Sequence, residues 1–94
     1  HLGKVESFNL DGLDLFFNSH DHLPPHFHVR KPGQWEIRVF FLLCNQENGL
    51  NFQVKWPANA KISSKEKKQI LDHVLANRSA LLIEWEAKVC TQGN

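Results

Sequence analysis

Four of the six histidines of this chain fall within nine residues, His20-Asp21-His22-Leu23-Pro24-Pro25-His26-Phe27-His28. Imidazoles titrate near neutral pH and are the commonest metal ligands, so a cluster of them can hold a cation or move protons. On a strand successive side chains alternate faces. His26 and His28 would then project together from one side, while Phe27 and Val29 point into a core. The rigid Pro24-Pro25 pair can return His22 toward the same face as a third nitrogen. Asp21 or His20 would then be a fourth ligand or, in the case of Asp21, a carboxylate that orients an imidazole. Three nitrogens with an open position suit Zn, Ni, Cu or Fe, among which imidazole does not choose. Two other readings stay open. The histidines can be exposed loop and strand residues bonded to backbone and solvent, or a metal-free acid–base pair able to cleave RNA, one imidazole taking the 2′-hydroxyl proton and the other protonating the leaving oxygen. A metal-dependent hydrolase would use Asp21 or a metal-bound hydroxide as its base.

Arg30 is in phase with His26 and His28, and Arg38 with Glu36. The two arginines could wall the imidazoles with positive charge and so accept an anionic ligand. The alternative is cross-strand pairing of Arg30 or Arg38 with Glu36.

The elements that must position these groups change character at Pro57, from a period of two to a helical period. Alternation around the turn-forming Asp11-Gly12 predicts a hairpin of Val5 to Leu10 with Leu13 to Asn18. Further strands follow at His26 to Arg30, Trp35 to Cys44 and Leu50 to Trp56, separated by Lys31-Pro32-Gly33-Gln34 and by Asn45 to Gly49. In the last strand Leu50, Phe52, Val54 and Trp56 face the core. Ser63-Ser64-Lys65-Glu66 has the form of a capping box and starts a helix from Ser64 to about Ala76, with Ile70, Leu71, Val74 and Leu75 on one stripe. Asn77 breaks it, and Leu81, Leu82, Trp85 and Val89 mark a second helix over 78–89. The fold class expected is α+β, an N-terminal antiparallel β-meander packed against two C-terminal α-helices.

Ninety-four residues, 41% hydrophobic and 22% charged, fit a single domain over 1–94. A net charge of +1 with neutral histidines argues against a polyanion binder that works through bulk charge. Lys55, Lys61, Lys65, Lys67 and Lys68 beside Trp56 are the one stretch suited to nucleic acid, although Glu66 and Asp72 interrupt it and a solvated helix face explains it equally. The longest apolar run, Val39 to Cys44, is strand-sized, against the roughly 20 residues that span a bilayer, so a soluble cytoplasmic domain is expected, with no membrane partner. The opening His1-Leu2 reads as a processed or trimmed start. Cys44 and Cys90 lack the spacing of a thiolate metal box; Cys44 reads as an inert core residue, and a bridge between the two is disfavoured. No Ser-His-Asp order, glycine-rich phosphate loop or spaced carboxylate pair supports nucleotide-dependent or glycosidase chemistry. An exposed edge in so small a sheet would allow a homodimer across a two-fold axis.

At Asp21-His22-Leu23-Pro24-Pro25-His26-Phe27-His28-Val29 the chain resembles the small bacterial family known as domain of unknown function 4160. The likeness extends over about residues 10 to 88, through a strand after Gly12, a strand at Glu36 to Leu43 and a closing helix near Trp85. It departs from that pattern in the added His20 and in a longer segment from Asn51 to Ile62 that reads as an extra strand. The resemblance implies a fold and a site but no substrate. Members are often encoded beside another small protein, as in two-gene toxin–antitoxin or regulatory modules. That implies, as a second expectation, a module that binds a protein from a neighbouring gene, or RNA.

Overall fold

The computed structural model describes residues 2–89. Five strands, β1 (Leu2–Lys4), β2 (Asp14–Asn18), β3 (Phe27–Lys31), β4 (Trp35–Val39) and β5 (Phe52–Trp56), form one antiparallel sheet in sequence order, followed by a helix α1 (Ser64–Lys88). The α+β class and the β-meander match the expectation from the sequence. Alternation sends Leu15, Phe17, Phe27, Val29, Trp35, Ile37 and Val39 to one face, where they bury against Ile70, Val74, Leu81 and Trp85 of α1. Each such fully buried apolar side chain contributes about 1.5–3 kcal/mol. Among the described residues no helix covers the opposite face, and the register sets Phe16, His28, Arg38 and Gln53 side by side across four strands.

One helix replaces the two expected. Asn77 leaves helical geometry (φ −126°, ψ 18°), yet the helix runs through it to Lys88. The Asn77 side-chain amide donates to the His73 carbonyl at 2.7 Å, which occupies an acceptor opened by the kink. With neither glycine nor proline after it, nothing ends the helix there, and Leu81 and Trp85 continue the buried stripe. The start is as read from the sequence: Ser63 Oγ accepts from the Glu66 amide at 3.0 Å, and Glu66 Oε1 accepts from the Ser63 amide at 3.3 Å. Glu66 Oε2 also accepts from Lys31 Nζ at 2.8 Å, tying the helix to the end of β3.

The first strand lies earlier than expected. The Asp11-Gly12 turn forms, with Gly12 at φ +80° and the Leu13 amide on the Leu10 carbonyl. However, β2 pairs with Leu2–Lys4, and the expected stretch Val5 to Leu10 forms no strand with it, the Val5 amide making a last bond to the Leu15 carbonyl at 3.0 Å. Beyond buried Val5 the backbone leaves the ladder because the Glu84 carboxylate of α1 accepts the Glu6 and Ser7 amides at 2.9 and 2.8 Å. Backbone donors must be satisfied somewhere, and here a helix side chain replaces a strand.

The strand expected over Trp35 to Cys44 stops at Val39. Phe41–Leu43 forms a single 3-10 turn that buries Phe41 and exposes Leu42 and Leu43, with Arg78 of α1 donating to the Cys44 carbonyl. In β5, Phe52 and Val54 pack half-buried against the core, as does Leu50 before it, but Trp56 is 36% exposed and is no core anchor. The register shifts between Glu36 and Ile37, and Trp56 lies beyond that irregularity. Cys44 is buried, and burial pushes its thiol pKa up, as suits an inert core residue. Cys90, and with it the disfavoured bridge, lies outside the described residues. Among the described residues no helix is long and apolar enough to cross a membrane.

Candidate metal centre

The histidine cluster gathers where β3 begins, with His28 on the face of the sheet away from α1 and His26 reaching Trp85 of the helix. A tight turn closes β2: the Asp21 amide donates to the Asn18 carbonyl at 3.0 Å, and Asp21 Oδ2 accepts from the Asn18 amide at 3.0 Å. Fixed in this way, Asp21 reaches His28, whose Nε2–H donates to Oδ2 at 2.9 Å and Oδ1 at 3.0 Å. The His28 ring is sandwiched on its other side by Phe16, its cross-strand neighbour, 5.0 Å away and inclined by 11°. His26 stands one residue before β3, packed against Phe40, Trp85 and the His28 ring. Its Nδ1 lies 2.9 Å from the Pro24 carbonyl, which can only accept, so Nδ1 carries the proton. The Nε2 of a neutral His26 is therefore a bare lone pair, and it lies 3.5 Å from Asp21 Oδ1.

One nitrogen from each imidazole and one Asp21 oxygen all fall within 4.8 Å of one another. Tetrahedral ligands about 2.1 Å from a metal stand about 3.4 Å apart; the separations of Asp21 from His28 Nε2 (2.9 Å) and from His26 Nε2 (3.5 Å) are already close to that value. Both imidazoles are nearly inaccessible, 5% exposed for His26 and 2% for His28.

A second carboxylate lies behind His28. Glu36, 4% exposed on β4, places Oε2 3.4 Å from His28 Nδ1 and 3.2 Å from Lys55 Nζ. If Nε2 carries the proton of a neutral His28, the Nδ1 lone pair faces an anion. Three buried atoms at this site make no hydrogen bond of normal geometry, His26 Nε2, His28 Nδ1 and Glu36 Oε2, the last having the ion pair with Lys55 alone. Unpaired buried polar atoms are rare enough in folded proteins to require an explanation. Burial of Asp21 opposes its ionisation, but the His26 imidazole when its Nε2 carries a proton, the His28 imidazole and the Asn18 amide outweigh it and hold the carboxyl well below the usual carboxylate range. The acid is thus an anion in a place that calls for positive charge.

Of the residues singled out in the sequence, the structure brings His26, His28 and Asp21 together, with Asp21 in the first rank of possible ligands. His22 is exposed at the rim and supplies no atom to the group of three; His20 is exposed beside it. The Pro24-Pro25 turn directs the backbone back to β3 but leaves the His22 side chain outside. Arg30 does not wall the imidazoles: it pairs with Asp14 at 3.3 Å and lies over the Phe16 ring. Arg38 does stand beside the centre, opposite His28 in the register. A cavity of about 320 Å³ opens there, lined by Asp21, His22, His26, Arg38, Phe40 and Gln53. A roomier groove of about 680 Å³ lies between the segment 4–14 and Arg30, away from the histidines. Of the basic stretch, Lys55 is taken by Glu36 and Lys68 by Asp72. Glu36 is the member that sequence reasoning missed as a partner of histidine. The signal was there: Trp35 and Ile37 point inward, so Glu36 must share the face of His28, and the short turn at 32–34 brings their strands together.

Fold and site define a small α+β domain with two buried histidines and an aspartate converging at the start of its third strand. The chain matches the family model described as Domain of unknown function (DUF4160) over residues 12–86, and it belongs to that family. No curated protein and no solved structure matches it.

Proposed function

We propose that this domain binds a divalent transition-metal ion through His26 Nε2, His28 Nε2 and Asp21. The observation that carries the reading is the pair of buried imidazole nitrogens without a hydrogen bond, His26 Nε2 and His28 Nδ1, together with Glu36 Oε2, whose partner is the Lys55 ammonium alone. A single ion accounts for all of them. It accepts the lone pair of His26 Nε2; it takes His28 through Nε2, which moves the His28 proton to Nδ1; and that proton then lies between Nδ1 and Glu36 Oε2. A carboxylate behind a ligating imidazole fixes its tautomer and raises its basicity, the arrangement usual around protein metals.

Two imidazoles and one carboxylate leave at least one coordination position open, the pattern of reactive rather than purely structural sites. Without thiolate ligands the set suits Zn or Fe(II), and it accepts Ni or Cu in the order of their intrinsic affinities. The open side would face the cavity at His26 and Arg38, so a bound water or ligand could reach the ion.

The test is a competitive titration of metal-stripped, untagged protein with Zn(II) against a chromophoric chelator. The wild type should take up one ion per chain, and Asp21→Asn, which keeps the shape but not the charge, should weaken uptake by at least two orders of magnitude. A folded wild-type protein that removes no Zn(II), Fe(II), Ni(II) or Cu(II) from the chelator overturns the reading.

A further inference from the structure

The metal reading leaves the cavity next to the centre unexplained. Its walls are not those of a generic surface dimple. Arg38 is half-buried, stands opposite His28 on one side and Gln53 on the other, and shares their face of the sheet. Among the described residues no carboxylate pairs with its guanidinium, whereas Arg30, Lys31, Lys55, Lys68 and Lys88 each have an acidic partner. An arginine held in a concave site beside an electron-poor centre is suited to an oxyanion, because its planar fork matches two oxygens of one carboxylate or phosphate. Gln53 adds an amide donor at the far wall, and His22 a further ring nitrogen at the mouth. Charge points the same way. A divalent ion and Lys55 already offset Asp21 and Glu36, so Arg38 leaves the pocket with surplus positive charge. About 320 Å³ is near the lower limit of ligand pockets, the size for a small anion or for the anionic end of a larger molecule.

Resting on the metal reading, we propose that this cavity binds an oxyanion, a carboxylate or phosphate group that gives one oxygen to the ion and another to Arg38. The protein would thus recognise its ligand at two points, by coordination and by the guanidinium fork. Gln53 orients the group from β5. Arg38 makes no bond to the ion itself, so its removal weakens the anion and not the metal.

The experiment uses Co(II), whose visible absorption reports its coordination, in the full chain. Cobalt-loaded wild type, Arg38→Gln and Arg38→Lys are titrated with inorganic phosphate in one arm and acetate in the other. The expected result is a saturable change of the cobalt band in the wild type, with the affinity about 10- to 100-fold weaker in Arg38→Gln, the loss of a charged hydrogen-bonding partner. Arg38→Lys, a point charge without the fork, should fall between the two. The cobalt band before anion is added should be the same in all three proteins, which also certifies their fold. Whichever arm binds more tightly identifies the group as carboxylate or phosphate. A cobalt band that forms but does not respond to either anion, or responds equally in Arg38→Gln, overturns the anion pocket and leaves the metal reading intact. If no cobalt band forms in the wild type, both fail.

Discussion

Replacing Glu36 by glutamine separates a metal centre from a purely structural polar cluster. Glu36 touches no open coordination position; its Oε2 lies 3.4 Å behind His28 Nδ1 and is held by Lys55 Nζ at 3.2 Å. Glutamine has nearly the same volume and retains an oxygen that can accept the Nδ1–H bond, but it removes the charge that makes the imidazole a better donor to metal. Outer carboxylates of this kind typically contribute 10- to 100-fold to metal affinity. That corresponds to about 1.4–2.7 kcal/mol. Lys55 is partly exposed, 41% at its side chain, and can be rehydrated when it loses its partner, so little further penalty arises there. The assay is the Zn(II) competition titration on wild type and Glu36→Gln, with thermal unfolding of the two metal-free proteins alongside. The expectation is a 10- to 100-fold weaker Kd and the same stoichiometry. An unchanged Kd together with a large loss of metal-free stability would refute the argument, because it would mean that Glu36 serves an imidazolium in the core and not a metal ligand.

Further outcomes follow from the fold. Burial works against ionisation of Glu84, yet Lys88, Ser7 and the Glu6 and Ser7 amides together hold its carboxyl below the ordinary value of 4.5. The clamp on the N-terminal segment should accordingly be fully present above that value and be lost as pH falls through the lower, folded value. Protection of the Glu6 and Ser7 amides, taken relative to their intrinsic exchange rates, should be high at neutral pH and fall selectively in acid, and in Glu84→Gln it should be low throughout; equal protection in the variant would contradict the clamp. Leu81→Ala, at a wholly buried position beyond the kink, should cost about 2–5 kcal/mol, whereas Ile83→Ala, 67% exposed, should stay within about 0.5 kcal/mol by denaturant unfolding. The reverse order would mean that the second half of α1 is rotated. Asn77→Ala removes the bond to the His73 carbonyl and should lower stability by about 1 kcal/mol, or about 4–8 °C in Tm for a domain of this size; a rise in Tm would show that a straight helix fits the sheet better.

The strands of the site were legible because alternation is a local rule. Phe27 and Val29 turned inward in the sequence for the same reason that they do in the structure, and that places His28 on the opposite face. Asp21 was visible as a neighbour of the histidines, although only its turn with Asn18 raises it above His22. Which way a side chain leaves a proline-rich loop has no local rule, and that is why spacing alone places His22 among the ligands while the structure leaves it exposed. Arg30 was misplaced because its partner Asp14 lies sixteen residues back, on a strand whose register is set only by folding. The first strand departs from its alternation pattern for a similar reason: its course depends on Glu84, 77 and 78 residues away. Asn77 carried a true signal of irregularity, but a side-chain amide that bonds backward can bend a helix as readily as end it.

The most direct measurement is metal content by elemental mass spectrometry on untagged protein that has met no nickel resin, read together with the nitrogen-15 shifts of the His28 ring. The account predicts close to one transition-metal ion per chain, lost in Asp21→Asn, with His28 carrying a single proton on Nδ1. A protein without metal that takes up none on titration, and whose His28 is protonated on both nitrogens between Asp21 and Glu36, would contradict it.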